Sequence, residues 1–208
     1  MKYKLVIFDF DGTLADTFPF FLDVFDILAG THGFRRLDRQ QLDTLRSFDA
    51  RRMMRHVGLP MWKMPRVAMH FRALMAQHSH RIALFDGIAA MLQELAGRGV
   101  ALAVLTSNSE QNVRAILGPD NAALIAHYAC GVSLFGKRSK LRHLLAKTGT
   151  GREQVLCVGD ELRDIDAAHG ERLDFGAVAW GYTHPEALRA RQPAHVFSRV
   201  EEIAAALA

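Results

Sequence analysis

The pattern of apolar and polar positions predicts short strands that alternate with helices from about residue 85 onward. Such alternation is typical of βαβ units and a parallel sheet. The predicted strands cover residues 5–8, 100–105, 155–158 and 175–180. The helices predicted in this part cover residues 88–95, 110–117, 141–146, 162–169 and 199–207. We therefore expect an α/β protein with a Rossmann-like, doubly wound parallel sheet as its core.

The stretch after the first strand has a different pattern, because its apolar residues recur only at helical spacing. They do so from Phe18 to Leu28, and Gly30 follows as a terminator. Further helices are predicted over residues 38–47, 49–57 and 60–79. The expected domains are an all-helical insert over residues 17–82 and an α/β core over residues 1–16 and 83–208.

The composition of the 208 residues is that of an ordinary globular protein, with 50% hydrophobic and 23% charged residues. No apolar run approaches the roughly 20 residues that span a bilayer, and the first strand leaves no room for a signal peptide before it. Cys130 and Cys157 are interpreted as buried small apolar side chains, not as a disulfide or a metal site. We expect a cytoplasmic protein that does not bind a membrane.

The positive charge is concentrated in one segment of the chain. Residues 31–80 hold ten Arg and Lys residues against three acids, a net charge of +7, whereas the whole chain has +4. Such a segment can be a solvated helix face, a site for an anionic substrate or a nucleic-acid surface. Basic and aromatic residues do not alternate in an RNA-binding pattern, and there is no zinc-finger spacing, so we expect no nucleic-acid partner.

Two acids follow the first predicted strand directly. Leu5 to Phe8 form an apolar, β-branched run typical of a buried parallel strand, and Asp9 and Asp11 come next. Gly12 then permits a tight turn. Residues two apart in an extended chain point the same way, so both carboxylates are expected beyond the carboxyl end of the strand, where open α/β sheets bind ligands. A solvated turn is the alternative.

Polar residues also follow two later strands. Thr106, Ser107 and Asn108 come after the strand at 100–105, where hydroxyl and amide donors and a following helix N-terminus suit an anion. Asp160 ends the strand at 155–158, and Asp164 lies one helical turn further on. Together with Asp9 and Asp11, Asp160 would form the oxygen-rich site that Mg²⁺ prefers.

These motifs resemble those of a known family. Residues 9–13, Asp-Phe-Asp-Gly-Thr, resemble the Asp-x-Asp-Gly-Thr signature of the haloacid dehalogenase superfamily, most of whose members are magnesium-dependent phosphohydrolases. Thr106, a lysine, and Gly159-Asp160 with Asp164 resemble its second, third and fourth motifs in the same order. The helical insert resembles the cap of the phosphoglycolate phosphatase-like branch, which closes over small substrates.

The resemblance also implies roles for single residues. Asp9 would be the nucleophile that forms an aspartyl-phosphate, and Asp11 would protonate the leaving oxygen and then deprotonate the hydrolytic water. Mg²⁺ would be held by Asp9, the backbone carbonyl of Asp11 and Asp160, with Asp164 in support. The residues implied to bind the phosphate are Thr106 and the lysine, together with Gly12, Ser107 and Asn108.

Two lysines could supply the third motif, because Lys137 and Lys140 both precede the strand that ends at Asp160. We favour Lys137, which follows Gly136 at the expected entry to a helix, whereas Lys140 would lie one turn further on at the surface. The choice between them stays open at this point.

The sequence therefore predicts a Mg²⁺-dependent phosphatase that acts on a small phosphorylated metabolite of the phosphoglycolate type, as a monomer or a homodimer. A nucleotide phosphatase or pyrophosphatase of the same family is the alternative among enzymes. A phosphate-binding regulatory module without turnover is the alternative outside enzymes.

Overall fold

A computed structural model of the chain describes residues 2–133 and 136–207, and these contain a parallel sheet of six strands in the order β3-β2-β1-β4-β5-β6. Residues 1, 134, 135 and 208 of the expected core domain lie outside the described residues. The strands are β1 (Leu5–Phe8), β2 (Ala101–Leu105), β3 (Ile125–Ala129), β4 (Val155–Gly159), β5 (Asp174–Val178) and β6 (His195–Phe197). This order is that of a doubly wound Rossmann-like sheet, so the predicted fold class is confirmed.

Helices cover both faces of the sheet. They are α5 (Ile88–Gly97), α6 (Glu110–Leu124), α7 (Lys137–Thr148), α8 (Leu162–Gly170), α9 (Pro185–Arg189) and α10 (Glu201–Ala206), with a 3₁₀ turn at Arg152–Gln154. Between β1 and β2 the chain forms α1 (Phe18–His32), α2 (Leu42–Leu45), α3 (Ala50–Val57) and α4 (Met64–Gln77), with 3₁₀ turns at Arg39–Gln41, Met61–Lys63 and Ser79–Arg81. Within the two described ranges, every helix is too short or too polar to span a bilayer.

The central strands are buried on both faces, which explains their unbroken apolar sequence. In β1, Val6 and Phe8 pack into one hydrophobic cluster, and Leu5 and Ile7 pack into a second cluster on the opposite face. The two-residue period of a strand produces this division, because successive side chains point to opposite faces. β1 lies between β2 and β4, so its carboxyl end is at the centre of the sheet edge.

Local signals set the limits of the helices between β1 and β2. Helix α1 has Pro19 in its first turn and ends at His32. The next residue, Gly33, caps it with a left-handed φ of 70°, as is usual after a helix C-terminus. The rings of Phe20 and Phe71 lie 5.9 Å apart and pack α1 against α4. In α3 the Asp49 carboxylate accepts a hydrogen bond from the Arg52 N–H and caps the helix.

Four elements differ from the sequence-based expectations. The prediction missed β3 and β6, since β3 contains polar, partly exposed residues and β6 has only three residues. It also missed the short helix α9. The helix predicted to stop at Gly118 is interrupted there, with non-helical angles, but helical turns resume and continue to Leu124.

Candidate active site

Asp9 lies at the carboxyl end of β1 and is buried against Lys137, the first residue of α7. The Phe10 N–H donates a hydrogen bond to Asp9 Oδ1 over 2.8 Å. The Lys137 Nζ atom lies 2.8 Å from Asp9 Oδ2 and 2.5 Å from Asp164 Oδ1. Both contacts are ion pairs at these distances, although neither has the angles of a hydrogen bond. One buried ammonium group therefore contacts two buried carboxylates.

Asp11 faces the loop that follows β2. The Asn108 side-chain amide donates to Asp11 Oδ1 over 3.2 Å, and the Thr106 hydroxyl donates to Asp11 Oδ2 over 3.4 Å. Asn108 is in turn held by Asn112, which donates to Asn108 Oδ1 over 3.0 Å. The structure thus brings the first and second predicted motifs together. The remaining residue of the loop, Ser107, contacts α4 through its backbone carbonyl.

Asp160 is fully buried at the carboxyl end of β4, beside the turn after β1. Its Oδ1 atom accepts a hydrogen bond from the Thr13 hydroxyl, and its Oδ2 atom accepts one from the Tyr182 N–H, each over 2.7 Å. Gly12 has a φ of 77°, and a Cβ atom at Gly12 would lie 2.4 Å from Asp160 Oδ2. Gly12 is therefore required both by the turn and by the close approach of Asp160.

Asp164 lies in the first turn of α8, where its Oδ2 atom accepts a hydrogen bond from the Glu161 N–H over 3.1 Å. Asp9, Asp160 and Asp164 each offer a carboxylate oxygen, and these three atoms lie within 4.8 Å of one another. Among the described residues, these three form the group that could hold a metal ion. The Asp11 side chain, which contacts Asn108 and Thr106, is outside this group, so only its backbone carbonyl is left for such a role.

The electrostatics of the group fit a divalent cation. Burial, followed by the negative charges of Glu161 and Asp9, raises the pKa of Asp160 well above its ordinary value. Burial and the charge of Asp9 likewise raise the pKa of Asp164 to about 7. Crowded carboxylates of this kind are stabilised in their charged form by a cation with oxygen ligands, so the residues present suit Mg²⁺.

Asp9 and Asp11 have opposite pKa shifts. Burial opposes the ionisation of Asp9, but the charges of Lys137 and Arg163 outweigh it and hold the pKa below its ordinary value. The Asp11 carboxyl is surrounded by protein, although part of the residue stays accessible to solvent. The loss of water around it raises the pKa of Asp11 to about 7, and the negative charge of Asp9 is the next largest cause. Neighbouring groups with separated pKa values are typical of an acid–base site.

The two candidate lysines have different surroundings. Lys137 is 6% exposed and contacts Asp9, whereas Lys140 lies exposed on the same helix. The structure thus brings Lys137, and not Lys140, to the acidic group.

Sequence reasoning missed two residues of the site. Arg163 forms a bidentate ion pair with Glu161, over 2.9 Å and 2.7 Å, and its charge acts on Asp9. Arg163 lies between Asp160 and Asp164, inside the predicted fourth motif, so its position in the sequence could have identified it. Tyr182 follows β5 and reaches Asp160 only through the tertiary fold, and no local pattern pointed to it.

A cavity of about 440 Å³ adjoins the site between the start of α3 and the first turns of α7 and α8. Five of its lining residues are basic and three are acidic. The basic ones are Arg51, Lys137, Arg138, Arg163 and Arg191, and the acidic ones are Asp49, Glu161 and Asp166.

The sheet order and the acidic group at the carboxyl edge are those of an α/β protein with a candidate site that suits a cation. The chain belongs to the haloacid dehalogenase-like hydrolases, whose family model matches residues 6–178. The family prediction is therefore confirmed, and the protein is a hydrolase.

Individual relatives match over nearly the whole chain. A phosphoglycolate phosphatase of Synechococcus elongatus is 32% identical over 191 residues, which cover 91% of this chain and 90% of that protein. An N-acetylmuramic acid 6-phosphate phosphatase of Pseudomonas aeruginosa is 28% identical, and the match covers 94% of this chain and 88% of that protein. The structure of a haloacid dehalogenase-like hydrolase from Streptococcus pneumoniae shares the fold, with a TM-score of 0.81, 18% identity and 99% coverage of both chains.

Proposed function

We propose that the protein is a phosphatase that hydrolyses a small phosphate monoester of the phosphoglycolate type. The observation that carries the proposal is the contact of Lys137 with Asp9, next to Asp11, at the central carboxyl edge of the sheet. The similarity to the phosphoglycolate phosphatase of Synechococcus elongatus over 91% of the chain supports it.

The proposed reaction has two steps at Asp9. An Asp9 carboxylate oxygen attacks phosphorus, which forms an aspartyl-phosphate and breaks the bond to the leaving oxygen. Asp11, whose pKa of about 7 lets it hold a proton, gives that proton to the leaving oxygen. In the second step Asp11 takes a proton from water as the water attacks phosphorus, and Asp9 and inorganic phosphate are released.

Binding the phosphate is the proposed task of residues around Asp9. Lys137 would offset the negative charge of the transferred group, and the Thr106 hydroxyl would donate to one of its oxygens. The other residues proposed to contact the phosphate are Gly12, Ser107 and Asn108. Phosphoryl transfer depends mainly on such positioning and charge stabilisation.

We propose Mg²⁺ as the cofactor, held by Asp9, Asp160 and the backbone carbonyl of Asp11. When bound, it would neutralise charge on the phosphate oxygens. Asp164 would support the site, because it contacts Lys137 and is fixed by the Glu161 N–H. Asp160 is oriented by Thr13 and Tyr182 in the same way.

Residues 17–82 are proposed to act as a cap that keeps bulk water from the site. The Met75 side chain of α4 is fully buried and contacts the Asn108 amide. The Arg72 guanidinium of α4 donates to the Ser107 carbonyl over 2.9 Å. A hydrolase must control water at a reactive acyl phosphate, and α4 covers the loop beside Asp11.

A larger anionic ester is the second candidate substrate. The cavity of about 440 Å³ is large for a two-carbon leaving group, and its lining is basic on balance. The relative from Pseudomonas aeruginosa is named for a phosphorylated sugar acid, which is such an ester.

We further propose a cytoplasmic protein, active as a monomer or a homodimer, with no nucleic-acid partner. Cys130 and Cys157 are both free, in agreement with a reducing compartment.

Phosphate release from a panel of esters tests the proposal. The panel contains phosphoglycolate, sugar phosphates, a phosphorylated sugar acid, nucleoside monophosphates and pyrophosphate, each with Mg²⁺ and with EDTA. We expect metal-dependent release of phosphate from a monoester. The ester with the highest kcat/KM shows whether the substrate is of the phosphoglycolate type or a larger anionic ester. A folded protein that binds Mg²⁺ but releases no phosphate would instead be a binding module.

A further inference from the structure

Arg46, in the segment between α2 and α3, joins the helical insert to the loop that follows β5. Its guanidinium donates to the Gly181 carbonyl over 2.7 Å and to the Tyr182 carbonyl over 3.0 Å. Its own carbonyl accepts a hydrogen bond from the His184 N–H over 3.0 Å. A single residue of the insert thus makes three hydrogen bonds to one short loop of the core.

The same loop holds the Asp160 carboxylate. The Tyr182 N–H donates to Asp160 Oδ2 over 2.7 Å. Gly181 packs so closely that a Cβ atom there would lie 2.1 Å from the Asp160 Cβ atom. The loop therefore helps to orient the Asp160 carboxylate, together with the Thr13 hydroxyl at Oδ1.

The side chain of Tyr182 also contacts the insert. Its hydroxyl is 2.6 Å from the Thr17 hydroxyl, at the residue before α1, where the chain passes from the core into the insert. Its ring lies 5.1 Å from the Phe18 ring and 5.9 Å from the Phe21 ring. The Arg46 guanidinium lies 5.8 Å from the Phe18 ring centre, so both links meet at the start of α1.

We propose that Arg46 and Tyr182 are positioning residues that couple the placement of the helical insert to the orientation of Asp160, and hence to the affinity of the site for Mg²⁺. The inference rests on the proposed function, in which Asp160 is a metal ligand. Coupling of binding equilibria is reciprocal, so Mg²⁺ would in turn favour the arrangement in which Arg46 contacts the loop.

Calorimetric titration of Mg²⁺ into the substrate-free protein tests the coupling. Loss of a residue that orients a metal ligand typically weakens metal binding about 10- to 100-fold. Arg46 and Tyr182 act through the loop, so we expect Kd to rise by about 10-fold in Arg46→Met and in Tyr182→Phe. Arg46→Lys should recover part of the loss, because an ammonium group can still donate to one carbonyl.

A matched variant controls for the charge of the insert. Arg52 lies exposed on α3 and stacks on Phe48 at 3.9 Å, within the insert. Arg52→Met removes the same charge without touching the loop, so its Kd for Mg²⁺ should equal that of the wild type.

A second readout follows the site by fluorescence. Trp180 donates to the Thr13 carbonyl over 3.1 Å, next to the Thr13 hydroxyl that contacts Asp160. The chain has two tryptophans, and Trp62 is 74% exposed on the insert, so a Trp62→Phe background leaves Trp180 as the reporter. Arg46→Met should shift its Mg²⁺ titration curve to higher concentration.

The outcomes separate this inference from the proposed function. A wild-type protein that does not bind Mg²⁺ contradicts the proposed metal site. A wild type that binds Mg²⁺, with unchanged Kd values in Arg46→Met and Tyr182→Phe, overturns the coupling alone. If Arg46→Met does not fold, Tyr182→Phe decides, since it removes only one hydroxyl group.

Discussion

The Nζ atom of Lys137 lies 2.8 Å from Oδ2 of Asp9, and both groups are buried. The contact joins the start of α7 to the end of β1. A buried ion pair is costly to form, because both charges leave water, and losing one partner leaves an uncompensated charge. The pair is therefore better explained by a role in the site than by a net gain in stability.

Replacing Asp9 by Asn should abolish turnover. The amide keeps the shape of the carboxylate but cannot attack phosphorus, and removal of a nucleophile costs roughly 10⁴-fold or more in kcat. Phosphate release at saturating ester measures the loss, and circular dichroism with thermal unfolding checks the fold. Activity within 10-fold of the wild type would contradict the assignment of Asp9 as nucleophile.

Replacing Lys137 by Ala should reduce activity far more than replacing Lys140 by Ala. The first change leaves Asp9 and Asp164 without their buried cation, which costs about 3–5 kcal/mol of unfolding free energy. The second removes an exposed side chain and should change that free energy by less than about 0.5 kcal/mol. Urea unfolding and kcat/KM measure both effects. The reverse ranking in kcat/KM would assign the phosphate-binding role to Lys140.

Replacing Gly12 by Ala should weaken Mg²⁺ binding and destabilise the protein. An alanine at φ 77° costs about 1–2 kcal/mol, and its Cβ would displace the Asp160 carboxylate, which lies 2.4 Å from that position. Gly30→Ala is the matched control, because nothing beyond its chain neighbours and the nearby backbone of helix α1 lies within 4 Å of the added Cβ. That change should stabilise the protein by up to about 1 kcal/mol. An unchanged Mg²⁺ affinity in Gly12→Ala would show that Asp160 is not displaced.

The sequence was informative where the local pattern decides the structure. The apolar run of β1 ends at Asp9, and the run of β4 ends at Asp160, so both acids could be placed at the same sheet edge. Contacts that form only in the tertiary fold could not be predicted from a local sequence pattern. Tyr182 reaches Asp160 through its backbone N–H, which any residue except proline offers, and Arg46 binds carbonyls that every residue has.

The edge strands β3 and β6 were not predicted, for a related reason. Within the described part of the chain, β3 and β6 each pair with only one strand, so their sequences do not need the unbroken apolar run that marks β1. His127 in β3 is polar and only partly buried. Edge strands of this kind depend on pairing with a distant segment, which a single sequence does not show.

Stability at low pH should depend on Glu171, which fixes the end of α8 to α7. Its carboxylate accepts hydrogen bonds from Arg142 over 2.7 Å and from Arg138 over 2.8 Å. These two bonds lower the pKa of Glu171 from 4.5 to about 2. Because the pKa is lower in the folded state, the group stabilises the protein above pH 4.5 and loses that contribution as the pH falls from 4.5 towards 2.

Urea unfolding of the wild type and of Glu171→Gln measures this contribution as a difference. The variant should be less stable at pH 7, and the gap should narrow below pH 4.5, because the wild-type carboxylate is then protonated in the unfolded state. Glu186→Gln removes an exposed carboxylate paired with Arg189 and should leave the unfolding free energy nearly unchanged. A gap between the wild type and Glu171→Gln that stays constant from pH 7 to pH 3 would mean that Glu171 contributes through packing and not through its charge.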